Sequence, residues 1–241
     1  MKKIIGNGLI AKSLVDIDFG QPVLVLASGV SDSQETRVEE FQREINVVTQ
    51  AMESNPNLHV LYCSTCSVDS GADTPYIAHK LAMEKRVLAG AMSCHVLRLP
   101  QVVGLVHNNT LVSHFVSAIL HNRLLKIHTR ATRNLLDVRD FARIATLAVR
   151  QGKGIGSPQN IASSTQVPVL NIVNEIARLL GRPVRTETVN AGYSHEIDST
   201  FLENLLPADD PLFDPCHWRK VLQYYVPLMA ATNAVDPKGE L

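Results

Sequence analysis

The hexapeptide Gly6-Asn7-Gly8-Leu9-Ile10-Ala11 constrains this chain more than any other feature, because it joins a strand-like run (Lys2 to Ile5) to a short helical one (Leu9 to Val15). It fits G-x-G-x-x-A. Glycine at the first two positions lets the chain turn tightly and lets a pyrophosphate approach the backbone, and the small third residue lets helix and strand pack closely. Chains that bind nothing also use glycine turns. At the first strand-to-helix junction of an alternating pattern, however, the turn reads as a nucleotide cradle, and it assigns Gly6, Asn7, Gly8, Leu9 and Ile10 to a cofactor.

The alternation continues. Val23 to Ala27 (V-L-V-L-A) is a buried-strand run stopped by Ser28-Gly29, and Glu35 to Glu53 has helical periodicity ended by Asn55-Pro56. His59 to Cys63 reads as a strand, Tyr76 to Ala91 as a helix, and Cys94 to Leu99 as a strand closed by Pro100. Further on come a helix over Thr110 to His121, a strand near Asn134 to Val138, a helix over Arg139 to Val149, a short strand over Gln159 to Ala162, and a helix over Val169 to Leu180 ended by Gly181. This pattern predicts an α/β fold: a Rossmann-like parallel sheet with helices on both faces, plus a small C-terminal substrate lobe. The expected division is a dinucleotide-binding domain over 1–165, with 105–130 contributing to the lobe, and a lobe over 166–241. The final residues from Thr232 are expected to fray.

Composition excludes several alternatives. Lys and Arg (23) balance Asp and Glu (23), so no net field favours nucleic acid or an anionic membrane surface. Glycines break the apolar start after Met1-Lys2-Lys3, and no run of apolar residues is long enough for a membrane span. Four cysteines in 241 residues do not make a disulfide framework, so a reducing, cytoplasmic compartment is expected. One element of a dinucleotide site is missing. The second strand-like run, V-L-V-L-A-S-G, carries no acid to hold ribose hydroxyls, so the choice between NAD and NADP is not legible.

The second constellation is Tyr76-Ile77-Ala78-His79-Lys80, preceded by the strand H-V-L-Y-C and by Ser64-Thr65-Cys66-Ser67. Tyr and Lys four apart share a helix face. A nearby ammonium would lower the tyrosine's pKa, and a hydroxyl at the strand end could polarise a substrate carbonyl. Together they could protonate an alkoxide as hydride arrives, or deprotonate an alcohol as hydride leaves.

These motifs resemble the extended short-chain dehydrogenase/reductase family, the NAD-dependent epimerases, dehydratases and reductases of nucleotide sugars, over most of residues 1 to 185. V-L-V-L-A-S-G resembles the strand ending beside the cofactor, which implies that Ala27, Ser28 and Gly29 line its crevice. I-N-V-V-T-Q-A-M is similar to the helix with an Asn near its start, and V-L-Y-C-S-T-C-S-V to the catalytic strand, with Thr65 as the hydroxyl and Ser64 just before it. Y-I-A-H-K matches the Tyr and Lys, implying that Tyr76 moves the proton while Lys80 tunes it and orders the cofactor ribose. R-L-P-Q-V-V-G resembles the turn that puts Pro100 and Val102 near the nicotinamide and Gln101 on the substrate. T-R-N-L-L-D-V-R-D-F-A is similar to the segment whose Arg, here Arg133, touches a nucleotide diphosphate.

There are departures. Ile5 stands where the family's first glycine would be, and the region of its second and third strands is missing. That region normally grips the adenosine half of the cofactor. Cys66-Ser67 replace the Asp-Glu of the family's dehydratases, which disfavours dehydration.

The resemblance implies an NAD(P)-dependent ketoreductase or epimerase of a nucleotide-activated sugar, dimeric through the helices at 35–54 and 76–91. The alternatives are a reductase of a non-sugar carbonyl and a catalytically silent binding or regulatory protein of the same fold. Cys63 and Cys66 form C-x-x-C without a second pair, which favours a structural role. His107, His114, His121 and His128 recur every seven residues, and on one helix such neighbours would lie roughly 10 Å apart, too far to share a metal. No metal is expected. Asp69 and Asp73 could act as acids near the substrate or simply be solvated.

Overall fold

The computed structural model describes residues 1–105, 110–194 and 196–235. His107 and the end of the tail, 236–241, lie outside the described residues. In chain order the elements are β1 (Lys2–Ile5), α1 (Leu9–Ser13), β2 (Val23–Leu26), α2 (Val38–Glu53), β3 (His59–Thr65), α3 (Pro75–Gly90), β4 (Cys94–Leu99), β5 (Gln101–Val103), α4 (Leu111–Leu120) and β6 (Leu124–His128). They continue as β7 (Thr132–Arg133), β8 (Leu135–Asp137), α5 (Val138–Gln151), β9 (Pro158–Asn160), β10 (Val167–Pro168), α6 (Val169–Leu180), β11 (Arg185–Val189), α7 (Thr200–Leu205) and α8 (His217–Val235).

The chain forms two compact units. The first comprises Met1–Pro100, Val138–Ala162 and Ile197–Pro207; the second comprises Gln101–Asp137, Ser163–Glu196 and Ala208–Leu241.

The first unit is built on a five-stranded parallel sheet in the order β1-β2-β3-β4-β9. Val23 to Leu26 are buried on both faces, which is why V-L-V-L reads as an unbroken apolar run. One face carries Leu24, Leu26, Val60, Tyr62 and Val96, packed with Val48 and Ala51 of α2 and Met83 and Val87 of α3. The other face is covered by α5, which packs on β4 through a stripe that includes the buried Phe141, Ile144 and Ala148.

Local chemistry sets the helix ends. Thr74 caps α3 by accepting from Ile77 N–H, with Pro75 in the first turn, where its missing N–H costs nothing. Helix α2 starts at Val38 rather than Glu35, because the Glu35 carboxylate accepts from the amides of Thr36 and Arg37 and holds them in a turn. Helix α6 ends at Leu180 with Gly181 left-handed at φ 61°.

A polar pair sits in the α5 face of this sheet. His59 Nε2 and His95 Nδ1 are 2.7 Å apart, with Ser93 Oγ 2.9 Å from His59 Nδ1 and the Lys153 carbonyl 2.9 Å from His95 Nε2. A carbonyl only accepts, so His95 carries its proton on Nε2 and accepts at Nδ1 from His59 Nε2–H. His59 Nδ1 then accepts from the Ser93 hydroxyl. The chain is complete with both rings neutral, and burial lowers both pKa values, that of His59 to about 4.

The second unit packs α4, α6 and α8 together, with short two-stranded ladders β5–β8, β6–β11 and β7–β10. Helix α4 starts with a capping box between Thr110 and Ser113. Helix α8 runs 19 residues through Pro227, which lies on its exposed side while Val221, Leu222, Tyr225, Val226 and Met229 are buried. Residues 232–235 continue this helix rather than fraying. His114 lies in α4, His121 caps it and His128 ends β6, so the seven-residue spacing does not fall on one helix.

Candidate active site

The strands of the first unit end together at their carboxyl edge, and the loops there hold most of the residues expected at a site. Gly6 has φ 129°, and a Cβ on it would lie 2.3 Å from the Ala27 carbonyl oxygen. Only glycine permits that approach of the β1 turn to the end of β2. A side chain at Gly8, by contrast, would enter open space, with no atom within 4 Å. Asn7 is exposed, and Leu9 and Ile10 are half-buried at the start of α1. Across from the turn, Ser28 Oγ is buried without a hydrogen-bond partner, and the Arg43 guanidinium of α2 donates to the Ser28 carbonyl at 3.4 Å. The glycine cradle and this orphaned hydroxyl fit the phosphate of a nucleotide cofactor.

Thr65 ends β3 and caps the following 3-10 turn, accepting from Ser67 N–H while its own hydroxyl donates to Ser67 Oγ, both at 3.1 Å. Tyr76 is the second residue of α3 and is buried beside Val30 and Ile77. Burial pushes its pKa up to about 12, although the Thr65 hydroxyl beside it favours the phenolate; the negative charge of Glu44 adds to the rise. Tyr76 is therefore a neutral phenol at physiological pH. The sequence suggested the opposite shift, through a nearby ammonium; burial outweighs any such effect, and the ammonium of Lys80, one turn further along α3, is engaged elsewhere.

Lys80 Nζ donates to Tyr62 Oη at 2.8 Å and to Glu44 Oε1 at 3.0 Å, all three side chains being buried. Glu44 accepts four hydrogen bonds: from Lys80, from Tyr62 Oη at 2.8 Å, from His79 Nε2 at 2.9 Å and from Val30 N–H at 2.8 Å. Burial alone would raise the Glu44 pKa, but these donors and the Lys80 charge hold it well below the ordinary carboxylate value. Gly29 is the floor of this arrangement: a Cβ there would meet Glu44 Oε1 at 2.8 Å and Lys80 Nζ at 2.9 Å. Glu44 and Tyr62 were not expected as site residues. In sequence Glu44 is one of several acids on an amphipathic helix, and only its position on the buried side distinguishes it.

Ser64 points into a different network. Its hydroxyl donates to Glu84 Oε1 at 2.6 Å, and Glu84 is bridged by Arg98 at 2.9 and 2.7 Å. Arg98 continues to Asp69 at 2.8 Å, and Asn160 donates to Asp69 at 3.1 Å. Cys63 and Cys66 are both pushed up to about 12 by burial, so neither is a thiolate near neutrality. Among the described residues no group of three or more His, Cys, Asp or Glu could hold a metal ion. Pro100 ends the first segment of this unit, whereas Gln101, Val102 and Arg133 belong to the second. Gln101 and Val102 are half-buried in β5, and Arg133 is half-buried in β7 with its guanidinium donating to the Thr132 carbonyl at 2.7 Å.

The parallel sheet, glycine turn and Thr–Tyr pair define a Rossmann-like α/β protein. A model of the NAD dependent epimerase/dehydratase family matches residues 17–162, more than half the chain, and the protein belongs to that family. Its fold is shared by a dTDP-4-dehydrorhamnose reductase from Clostridium acetobutylicum (TM-score 0.71, 16% identity, covering 95% of this chain and 99% of that one). It is also shared by RMD from Pseudomonas aeruginosa, solved with NADPH (0.71, 15%, 95% and 88%). A UDP-N-acetylglucosamine 4-epimerase from Methanobrevibacter ruminantium, solved with UDP-N-acetylmuramic acid, has the same fold (0.70, 15%, 91% and 82%). Comparison with curated proteins finds no significant match. No described helix is long and apolar enough to cross a membrane.

Proposed function

We propose that this protein is an NAD(P)-dependent ketoreductase or epimerase acting on a nucleotide-activated sugar. The observation that carries the reading is the neighbouring pair of hydroxyls, Thr65 at the end of β3 and Tyr76 at the start of α3, at the same sheet edge as the Gly6–Ala11 turn. Family membership and the sugar-nucleotide enzymes of the same fold support the substrate class.

Gly6, Asn7, Gly8 and Ser28 would hold the cofactor phosphate. When bound, the nicotinamide supplies or withdraws hydride at the substrate carbon. Tyr76 Oη gives its proton to the carbonyl oxygen as that oxygen gains charge, while the Thr65 hydroxyl hydrogen-bonds the same oxygen. A phenol that is neutral at physiological pH starts in the donor state, which suits the reductive direction. Lys80 acts from within its pair with Glu44, as an anchor for the start of α3 and the Gly29 loop. In this reading two copies associate in the cytoplasm through the open groove between α2 and α3, about 620 Å³ and lined by Met52, Pro56, Ala82 and Ala89.

Titration with NADH and NADPH followed by fluorescence, then turnover with keto-sugar nucleotides, tests the assignment. Tyr76→Phe should keep cofactor binding and lose turnover. Parent turnover should stay level from pH 7 to 10, because Tyr76 titrates at about 12. A second reading, a silent nucleotide-binding protein, is favoured by one observation: the Lys80 charge is already neutralised by Glu44. Cofactor binding without turnover of any carbonyl substrate would select it.

A further inference from the structure

A Rossmann crevice takes a dinucleotide because two mononucleotide-binding halves meet where the strand order reverses. Here the order runs β1-β2-β3-β4-β9, always increasing away from β1, and never reverses. Among the described residues β1 pairs only with β2, so the far side of β1 is an open edge. The link from α1 to β2 does not replace the missing half. Lys2 Nζ, at the start of β1, donates to the carbonyls of Leu14, Val15 and Ile17, which ties that link to the amino end of the strand. Asp16 and Asp18 lie in the link, and Asp18 accepts from Gly20 N–H and Arg150. Both acids therefore precede β2 instead of following it, at the end of the sheet opposite the cradle. What the carboxyl edge does offer is one phosphate cradle, Gly6 to Gly8, one orphaned hydroxyl at Ser28, and Tyr76 beyond them. Asp32, further along the loop after β2, accepts from the Gln34 amide, and its charge reaches Tyr76.

We propose that the cofactor site is a single mononucleotide half, which grips the nicotinamide riboside phosphate and leaves the adenosine end of a dinucleotide ungripped. Reduced nicotinamide mononucleotide, NADH and NADPH are then equivalent ligands, and the lack of an acid in the V-L-V-L-A-S-G run becomes a consequence of the topology. The inference rests on the dehydrogenase-type reading of the site.

The full chain is titrated with each of the three reduced nucleotides by fluorescence, with AMP, 2′-phospho-AMP and ADP-ribose as competitors. The expected result is three dissociation constants within about threefold and no competition by AMP or 2′-phospho-AMP. Gly8→Thr should weaken all three by about tenfold or more, because its side chain enters the open cradle, and should leave the melting temperature unchanged. A dinucleotide preference of about thirtyfold or more, or displacement by AMP, overturns the half-site while leaving the dehydrogenase reading intact. Failure of all three nucleotides to bind at millimolar concentration removes both.

Discussion

Replacing Glu44 by Gln removes one charge from a place where neither partner meets solvent. The Glu44 side chain is 0% exposed and that of Lys80 3%, so water cannot take over the solvation of the ammonium. After the change Lys80 keeps Tyr62 Oη and an amide oxygen, while the new NH2 group faces donors at His79 Nε2 or Val30 N–H. Breaking a buried pair by neutralising one partner costs about 3–5 kcal/mol, a large part of the stability of a domain this size. Lys80→Met should cost less, about 1–3 kcal/mol, because the Glu44 carboxylate retains three donors. In the double variant neither charge remains, and its loss should fall short of the sum of the singles by at least about 2 kcal/mol. Urea unfolding followed by circular dichroism, with unchanged m-values, measures all four corners of the cycle. If Glu44→Gln lies within about 1 kcal/mol of the parent, or the two substitutions add, the pair does not hold the site as described.

The histidine chain gives a pH dependence of definite sign. Burial lowers the His59 pKa to about 4 in the folded protein, below the ordinary imidazole value of about 6.5, so the unfolded chain takes up the proton first. About 3 kcal/mol should be lost as pH falls from 6.5 to 4, and His59→Asn should flatten that limb in pH-dependent unfolding; a parent curve already level across the window would contradict the burial argument. Gly29→Ala should cost about 1–3 kcal/mol by forcing a methyl onto Glu44 and Lys80, and the cost should shrink in the Glu44→Gln, Lys80→Met background; an equal cost in both would show that the contact is not the cause. Ala82→Arg, at an exposed position in the groove between α2 and α3, should convert the proposed dimer to monomers in light scattering; a variant that keeps a dimer's mass would place the interface elsewhere, and a parent of monomer mass would refute the dimer.

Local sequence determined the elements of the first unit to within a few residues, α7 excepted, because each is fixed by short-range chemistry. The apolar run V-L-V-L, the Thr74-Pro75 cap and Gly181 each act on their immediate neighbours. The glycine turn was legible for the same reason, since φ 129° at Gly6 needs glycine whatever surrounds it. The helix α8 was also written in the spacing of Trp218, Val221, Leu222, Tyr225, Val226 and Met229, but Pro227 obscured it. That proline is tolerated on the exposed side, where the packed stripe holds the helix on both sides of it.

Tertiary structure alone decided the site's electrostatics. Tyr76 and Lys80 share a helix face in any helix, yet which of them meets a carboxylate depends on Glu44, 36 residues before Lys80 and brought in by the packing of α2 on α3. Burial of the phenol, with the Glu44 charge adding to it, reversed the shift expected for Tyr76, and the pairing with Glu44 made an anchor of the lysine. Ser64 and Thr65 are likewise adjacent in sequence, but the alternation of β3 sends one toward Glu84 and leaves the other beside Tyr76. Strand order, too, is invisible along the chain, because it depends on which edges pair; only the assembled sheet shows that β1 is its last strand.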